Sequence, residues 1–314
     1  MPFSEAETAA CRQLVEMALE EDLGGIGDIT SRTFIPPKLE GRAVFVARAG
    51  GVVAGLPAAQ MVFQTAHTPL VKFEALVEDG VRVAPGDRLA VASGLMEFVL
   101  TGERTALNFL QHMSGIATLT RKYVDAIAGL PCKILDTRKT LPGWRLLEKY
   151  AVRCGGGHNH RMGLFDGILV KDNHLASMGK TKESFKEILL ALKSHHLTYM
   201  NPGLRIAVET AFFPEGRIIP WEIEVDAIEQ LEWALCCFPD MVLLDNMPPE
   251  QLRQAVELRN TLHSKVLLEA SGGVTLETVR AIAETGVDRI SIGALTHSAP
   301  ALDIALDLVR NDER

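Results

Sequence analysis

The spacing of hydrophobic residues divides the chain into an amino-terminal part of mixed elements and a longer part in which strands and helices alternate. Between residues 6 and 21 apolar side chains recur at helical spacing, and a glycine-rich stretch then ends the predicted helix. From residue 41 to 100 the pattern changes to short β-rich runs separated by turn residues. A second long helical pattern covers residues 103–128. The first part therefore predicts a small α+β domain.

Beyond this second helix, six short runs of apolar residues alternate with amphipathic segments. Continuous apolar runs are typical of parallel strands covered on both faces, and the intervening segments have the period of helices. The six predicted strands read KILDT, GILVKDNH, WEIEVD, MVLLDN, KVLLEASGG and RISIGAL. Repeated βαβ units predict a parallel sheet, either open or closed as a barrel.

Nearly every predicted strand ends in hydrophilic residues. These are Asp136, Thr137, Arg138 and Lys139; Lys171, Asp172, Asn173 and His174; Glu224 and Asp226; Asp245 and Asn246; and Glu269, Ser271, Gly272 and Gly273. Parallel α/β folds bind ligands at the carboxyl ends of their strands, so these groups are expected to converge on one face. The distribution predicts a functional site without reference to any known protein.

Composition and charge argue against several kinds of partner. The net charge of -8 disfavours nucleic acid or an anionic membrane surface, because either favours a basic face. No apolar stretch approaches membrane-spanning length, and the first residues lack the pattern of a signal peptide. The five cysteines form no CxxC pair, which favours reduced thiols and a cytoplasmic location.

One segment is basic despite the acidic balance of the chain. Between Arg138 and Lys171 there are seven basic residues and two acidic ones. Guanidinium groups bind carboxylates and phosphates bidentately, so this excess indicates a ligand with several anionic groups. The carboxylates Glu224 and Asp245 can instead bind sugar hydroxyls, hold Mg²⁺ or stabilise positive charge on a ribose, unless each simply pairs with a nearby cation.

A helix is predicted between Pro142 and Gly155, because proline favours the first turn and glycine follows the last. Its charged residues Arg145, Glu148 and Lys149 are interpreted as a solvated face. Three successive glycines follow, where one would suffice for a cap. Either they form a flexible turn or their backbone approaches a ligand closely.

Cys154, His158 and His160 flank these glycines and raise the question of zinc. Their spacing matches no common structural zinc pattern, and no fourth ligand is evident nearby, so metal coordination is disfavoured. Further along, glycine-rich turns at 271–273 and at Gly293 are typical of phosphate sites late in a barrel. The residues alone thus predict a barrel enzyme acting on a phosphorylated sugar and a polycarboxylate.

Together these motifs resemble the quinolinate phosphoribosyltransferase family. The stretches that carry the resemblance are TGERTALNFLQHMSGIAT, DTRKTLPGWRLLEKYAVRCGGGHNHRMGLFDGILVKDNH, IEVD, LLDN, EASGGV and ISIGALTHS. The resemblance implies a TIM-like α/β barrel, incomplete in the family, with a small N-terminal α+β sandwich domain. Residues 1–115 would form that domain, 116–296 the barrel, and 297–314 a C-terminal helix that packs back on the N-terminal domain.

The resemblance also implies an activity. Quinolinate would react with phosphoribosyl pyrophosphate and Mg²⁺ to give nicotinate mononucleotide, pyrophosphate and CO₂, a step of NAD synthesis. It implies a homodimer in which Arg104 enters the neighbouring subunit's site. Two alternatives are a phosphoribosyltransferase of the same fold for another carboxylated ring, and a barrel that binds a sugar phosphate without turnover.

The resemblance also implies roles for individual residues of this sequence. By the resemblance, the quinolinate carboxylates are surrounded by Arg104, Arg138, His160, Arg161 and Lys171. Lys139 would reach the phosphates, and Glu224 and Asp245 would face the ribose and the metal, so that these three and Lys171 form the catalytic set. The 5′-phosphate would lie against Ser271, Gly272, Gly273 and Gly293, and Thr137 and Ala294 complete the substrate-binding residues. His158 stays open between ligand contact and support of its loop.

One segment departs from the family. Residues 197–220, rich in proline and glycine, replace a short connection before the strand WEIEVD. Because this insert precedes a strand, it is expected at the amino-terminal face of the barrel, as an oligomer contact or ornament. It also leaves a choice between Glu222 and Glu224 for the ribose, and spacing to Asp245 favours Glu224.

Overall fold

The computed structural model describes residues 1–65, 67–68, 70–177, 179, 181, 183, 185–187, 220–262 and 265–309. The chain forms two compact units. Unit 1 comprises Met1–Asp125, Ile134–His160 and Gly293–Arg314, and unit 2 comprises Ala126–Lys133 and Arg161–Ile292. Most of the helix predicted after Thr181, and the insert up to residue 219, lie outside the described residues.

The helices confirm the long helical patterns of the sequence. Their bounds are α1 (Glu5–Leu23), α2 (Ile29–Phe34), α3 (Leu56–Val62), α4 (Met96–Ala126), α5 (Arg145–Cys154), α6 (Asp172–Ser177), α7 (Ile228–Leu235), α8 (Pro249–Leu262), α9 (Val279–Ala283) and α10 (Ala294–His297). A capping box starts α1, because Ser4 Oγ accepts the Glu7 N–H at 3.3 Å and the Glu7 carboxylate accepts the Ser4 N–H at 2.8 Å. Among the described residues no helix is both long and apolar enough to cross a bilayer.

The strands confirm the six apolar runs and add the strands of the amino-terminal part. Their bounds are β1 (Glu40–Ala47), β2 (Gly51–Val52), β3 (Lys72–Ala75), β4 (Arg82–Val83), β5 (Arg88–Leu95), β6 (Lys133–Leu135), β7 (Ile168–Val170), β8 (Trp221–Val225), β9 (Met241–Asp245), β10 (Leu267–Ser271), β11 (Arg289–Ser291) and β12 (Ile304–Leu308). β8 and β10 each have buried central residues, as expected for strands covered on both faces.

Unit 1 contains an antiparallel sheet in the order β12-β1-β5-β3, with β2 and β4 forming a separate pair. The predicted C-terminal helix within 297–314 is wrong, because residues 304–308 form β12 and pair antiparallel with β1. Apolar residues alternate at positions 302, 304, 306 and 308. That period of two is the pattern of a strand, and the interpretation by family resemblance overlooked it.

The parallel sheet has the order β6-β11-β10-β9-β8-β7. Consecutive strands from β7 to β11 are neighbours, and the first strand lies beside the last. This is the cyclic order of a β/α barrel, in which the sheet curls until its ends approach each other. The predicted TIM-like α/β fold with a separate, smaller sheet domain is confirmed.

Candidate functional site

The loop after β6 carries the first group of predicted site residues in unit 1. Thr137 and Arg138 are half-buried and Lys139 is exposed. The loop is fixed through its backbone, because the Lys139 N–H donates to Thr137 Oγ1 at 3.0 Å and Thr296 Oγ1 donates to the Lys139 carbonyl at 2.7 Å. The buried Nε of Arg138 has no hydrogen-bond partner among the described residues. A buried guanidinium nitrogen of this kind is suited to an anionic ligand.

Helix α5 does not have the predicted solvated face. The side chains of Glu148 and Lys149 are 0% exposed. Glu148 accepts a hydrogen bond from the Leu141 N–H at 3.3 Å and interacts with His112 Nε2 at 3.0 Å, which ties the end of the β6 loop to α4 and α5. The expectation of a solvated face was wrong because α5 is buried on nearly all sides, so charged residues must find partners inside the protein.

Two of the three glycines after α5 are explained by helix packing and by backbone conformation. A Cβ on Gly155 would lie 2.5 Å from the Ala117 carbonyl oxygen of α4, so only glycine allows this close approach. Gly156 has φ +86°, the left-handed conformation that commonly ends a helix. The sequence had left open a flexible turn or close approach to a ligand, and the structure shows instead a turn that is tightly packed against α4.

The turn leads to His160, which is half-buried and is the last residue of the Ile134–His160 segment of unit 1. Its neighbour His158 is exposed, and its backbone pairs with Leu135 of β6. Burial raises the pKa of the Cys154 thiol to about 12, with the nearby Asp79 carboxylate adding to the shift. The thiolate that a zinc site requires is therefore disfavoured at Cys154.

The remaining unit 1 residues lie on α4 and at α10. Gly293 directly precedes α10, and a Cβ there would lie 2.9 Å from Lys139 Cδ, so this turn lies against the Lys139 side chain. Ala294 is the first residue of α10. Arg104 is exposed on α4. Burial raises the pKa of its neighbour Glu103, and the Arg104 charge opposes that rise.

Unit 2 brings a lysine and a carboxylate together at adjacent strand ends. Lys171 follows β7, and its Nζ donates to Glu224 Oε2 on β8 at 2.9 Å. The Asp172 N–H donates to the other oxygen, Glu224 Oε1, at 3.3 Å. Glu224 is 7% exposed, so both of its oxygens are oriented by these contacts. The sequence had left such pairing open as the alternative to a functional role.

A small acidic cavity adjoins this pair. Its volume is about 30 Å³, and its lining residues are Asp172, Glu224, Val225, Asp226, Gln230 and Asp245. Four of these six carry carboxylates, which are the ligands that Mg²⁺ and sugar hydroxyls prefer. Glu222 points to the same face of β8 as Glu224 but does not line this cavity, and it is 1% exposed. The geometry thus brings Glu224 and Asp245 together, as the strand-end argument predicted.

The ends of β9 and β10 are joined by their backbones. The Asn246 N–H donates to the Ser271 carbonyl at 2.8 Å, and Asn246 Nδ2 donates to Asp245 Oδ2 at 2.8 Å. Gly272 and Gly273 follow with φ of +94° and +59°, and both are exposed. Successive left-handed glycines turn backbone N–H groups outward, which is the usual construction of a phosphate-binding turn.

Arg161 begins a closed loop in unit 2. Its Nη1 donates to the Gly167 carbonyl at 2.8 Å, while the Asp166 carboxylate accepts the N–H groups of Met162 and Gly163 at 2.7 and 2.8 Å. Sequence reasoning missed Asp166 as a residue that shapes this loop. An aspartate three or four residues after a turn is a common source of such contacts, so the signal was present but not specific.

Family models match nearly the whole chain. The model described as "Quinolinate phosphoribosyl transferase, N-terminal domain" matches residues 28–114, and the model of the C-terminal domain matches 116–215 and 189–307. A curated relative, the nicotinate-nucleotide pyrophosphorylase (carboxylating) of Mycobacterium leprae, is 42% identical over 98% of this chain and 100% of its own length. The chloroplastic protein of the same description from Arabidopsis thaliana is 41% identical over 95% of this chain and 82% of its own.

Solved structures show the same similarity. The nicotinate-nucleotide pyrophosphorylase of Francisella tularensis superposes with a TM-score of 0.81 at 35% identity, covering 96% of this chain and 97% of that one. The protein from Ehrlichia chaffeensis gives a TM-score of 0.81 at 38% identity, covering 98% and 100%. Identity at this level over full length extends the similarity beyond the fold to the family.

Proposed function

The chain belongs to the quinolinate phosphoribosyltransferase family, and from that premise we propose which of its residues carry out each part of the reaction. The activity is transfer of a phosphoribosyl group from phosphoribosyl pyrophosphate to quinolinate with loss of CO₂, which gives nicotinate mononucleotide and pyrophosphate. The observation that carries the assignment is the division of charge at the strand ends: cations follow β6 and β7, and carboxylates lie on β8 and β9.

Quinolinate is a dicarboxylate, and five cationic or hydrogen-bonding side chains are proposed to bind it. They are Arg104, Arg138, His160, Arg161 and Lys171. The buried Nε of Arg138 supports this role, since a buried N–H group without a partner gains most from an anionic acceptor. Two carboxylates on one ring require more than one such contact, which a monocarboxylate would leave partly unused.

Glu224 and Asp245 are proposed to face the ribose of phosphoribosyl pyrophosphate. Their carboxylates line the acidic cavity, where they can accept hydrogen bonds from ribose hydroxyls and stabilise the positive charge that develops as pyrophosphate leaves. The oxygen-rich lining also fits Mg²⁺, which would neutralise the pyrophosphate when bound. Lys171 orients Glu224 and can contact the carboxylate of quinolinate from the same position.

The glycine-rich turns are proposed to bind the phosphates. Ser271, Gly272 and Gly273 offer backbone N–H groups for the 5′-phosphate, and Gly293 and Ala294 add the turn before α10. Lys139, with Thr137 fixing its backbone, supplies a point charge for the phosphates. After transfer, the ribosylated ring nitrogen is positive and can stabilise the carbanion left by CO₂, so this second step needs mainly positioning.

A homodimer in the cytoplasm is the proposed working form, with Arg104 completing the neighbouring subunit's site. Its exposure on α4 supports that role. Mixing two inactive variants, Arg104→Ala and Glu224→Gln, tests it. If the arginine is shared, mixed dimers contain one intact site and recover activity, whereas sites built within one subunit give no recovery.

The overall function is tested by incubating the protein with quinolinate, phosphoribosyl pyrophosphate and Mg²⁺, and measuring nicotinate mononucleotide and CO₂. We expect both products in equal amounts. Product from nicotinate but not from quinolinate would identify a phosphoribosyltransferase for another ring. Binding of phosphoribosyl pyrophosphate with no product from either ring would identify a barrel that binds without turnover.

A further inference from the structure

A buried ion pair lies against the backbone of His160 in unit 1. Asp136 directly follows β6, Lys149 lies on α5, and both side chains are 0% exposed. Lys149 Nζ donates a hydrogen bond to Asp136 Oδ1. Burying a charged group costs roughly several kcal/mol of desolvation free energy per ion. A protein with two hydrophobic side chains of similar size in place of a buried ion pair is often at least as stable. Stability alone is therefore a weak explanation for this pair.

The two charges hold the peptide groups of His160 from both sides. The His160 N–H donates to Asp136 Oδ1 at 2.9 Å, and Lys149 Nζ donates to the His160 carbonyl oxygen at 2.9 Å. Hydrogen bonds to ionised partners are roughly twice as strong as those between neutral groups. The backbone at His160 is thus fixed in position by the ion pair itself.

Asn159 adds further contacts to the arrangement formed by Asp136, Lys149 and the His160 backbone, which we call the clamp. Its Nδ2 donates to Asp136 Oδ2 at 2.5 Å and to the Lys149 carbonyl at 2.9 Å, and its Oδ1 accepts from Arg153 Nη1 at 2.9 Å. Both oxygens of Asp136 are therefore used by the segment that carries His160. A carboxylate that served only to neutralise Lys149 would not need this arrangement.

The preceding residues are held by β6. The His158 N–H donates to the Ile134 carbonyl at 2.8 Å, and the Asp136 N–H donates to the His158 carbonyl at 3.1 Å. Residues 158–160 thus run beside the end of β6, and at His160 the bonds to Asp136 and Lys149 follow these strand contacts. The backbone at His160 is therefore held by a continuous set of contacts, which fixes the point from which its side chain starts, as precise ligand positioning requires.

We infer that the Asp136–Lys149 ion pair is the positioning device for His160 in binding the dicarboxylate substrate. This inference rests on the proposed function, in which His160 contacts quinolinate. Neither Asp136 nor Lys149 needs to touch substrate. A pair that only stabilised unit 1 would, when removed, affect the two substrates alike, whereas a positioning pair affects the substrate that His160 contacts.

The decisive variant is the double substitution Asp136→Asn with Lys149→Met. It leaves no unpaired buried charge, and the amide oxygen introduced at position 136 still accepts the His160 N–H. The donor to the His160 carbonyl is lost, and the new amide nitrogen can no longer accept the bond from Asn159 Nδ2. We expect the KM for quinolinate to rise roughly 10- to 100-fold and the KM for phosphoribosyl pyrophosphate to change by less than about 2-fold. Equal changes in both constants, or no change in either, would overturn the inference.

A matched control exists in unit 2. Arg259 and Asp288 form an ion pair at 2.8 Å with side chains 9% and 31% exposed. The analogous double substitution, Arg259→Met with Asp288→Asn, should lower thermal stability and leave both KM values unchanged. A selective rise in the quinolinate KM in this control would show that loss of an ion pair far from the proposed site mimics the effect, and the inference would fail.

A double-mutant cycle with His160→Ala separates failure of this inference from failure of the proposed function. If the clamp acts through His160, adding the clamp substitutions to His160→Ala should raise the quinolinate KM by less than about 2-fold further. Full additivity would contradict positioning. An unmodified protein that does not turn over quinolinate refutes the function instead, whatever the variants do.

Asn159→Ala provides a milder version that keeps the ion pair and the charge balance. It removes the amide contacts to Asp136 and Lys149, and the quinolinate KM should rise roughly 3- to 10-fold with no change for the second substrate. If the double substitution does not fold, this variant decides the matter: an unchanged quinolinate KM refutes positioning.

Discussion

Two ion pairs, a fully buried one in unit 1 and a partly buried one in unit 2, differ in where they lie on the strands. Asp136 follows the carboxyl end of β6, and with Lys149 it holds a loop residue proposed to bind substrate. Asp288 directly precedes β11, and Arg259 donates to the carbonyl of Val266, which precedes β10. The first pair supports a loop beyond strand ends, and the second supports the starts of strands.

This difference teaches how to separate function from stability among buried charges. In α/β barrels substrates bind at the carboxyl ends of the strands, whereas the amino ends contribute to stability. The Asp288 carboxylate accepts the Leu268 N–H at 2.8 Å, so the Arg259 pair joins α8 to the entry of β10. No residue assigned to a substrate touches it among the residues that the structure describes.

The largest expected effect is on stability. Lys149→Met leaves Asp136 buried without its counter-charge and should lower the free energy of unfolding by about 3 to 5 kcal/mol. Arg259→Met should cost less, about 1 to 3 kcal/mol, because Asp288 keeps partial contact with water. Urea unfolding of the two variants measures both values. A larger loss of unfolding free energy for Arg259→Met than for Lys149→Met would show that burial of the ion pair does not set the size of the effect.

The next prediction compares kcat for substitutions at the carboxyl ends and at the amino ends of the strands. Glu224→Gln keeps the shape of the side chain but removes the charge facing the proposed ribose, so kcat should fall about 100- to 1000-fold. Asp288→Asn, at the amino ends, should leave kcat within about 2-fold. Steady-state assays with both substrates saturating give these numbers. Equal losses would mean that strand direction does not predict function in this barrel.

Two glycines allow the same comparison with a smaller change. Gly272, with φ +94°, ends β10, and Gly286, with φ +92°, precedes β11. Alanine at either position should cost about 1 to 2 kcal/mol of stability because of the left-handed backbone. The loss should be larger at Gly272, where a Cβ would clash with Asn246 Oδ1 and force that side chain to move. Only Gly272→Ala should also raise the KM for phosphoribosyl pyrophosphate. If Gly286→Ala raises it as well, the phosphate assignment to the 271–273 turn is wrong.

The smallest effect is expected at the edge of the Asp136 network. Arg153, which donates to Asn159, also donates to Glu7 Oε1 at 2.5 Å. Burial alone would raise the pKa of Glu7, but its hydrogen bonds to Ser4 and Arg153 lower it below the usual value. A carboxyl whose pKa is lowered on folding stabilises the protein above the unfolded pKa, and this contribution is lost as the pH falls through the folded value.

Between pH 5 and pH 3 the unmodified protein should therefore lose more stability than Glu7→Gln. Thermal unfolding across this range measures the difference. A constant gap between the two proteins at all pH values would show that the Glu7 charge is not stabilised by folding.

The sequence predicted the parallel strands and the polar residues at their ends because buried strands have a simple signature and parallel strands share a direction. Glu224 and Asp245 were selected in this way, and the structure brings both to the lining of one cavity. Lys149 and Glu148 were misassigned because helical spacing reports neighbours on one helix and cannot show that the opposite face is also covered. The C-terminal strand was missed because family resemblance outweighed a period-two pattern that was visible at residues 302–308.

The clamp itself could not be predicted. Asp136 was recognised as a strand-end residue, but its contacts with Lys149 and Asn159 depend on how α5 and the loop after it pack against the end of β6. Sequence spacing carries no information on this tertiary packing. The glycine run at 155–157 was ambiguous for the same reason, since the carbonyl of Ala117 that excludes a side chain there belongs to a helix nearly forty residues earlier.

The pairing of β12 with β1 has a consequence for biosynthesis. Residues 40–47 reach the ribosome exit long before residues 304–308, yet the two segments lie side by side in one sheet. During translation of the barrel region, the edge of β1 that pairs with β12 therefore has no partner strand. Pairing over so long a separation slows folding and exposes an edge to other chains. We expect the nascent amino-terminal sheet to be the part of this protein most dependent on chaperones.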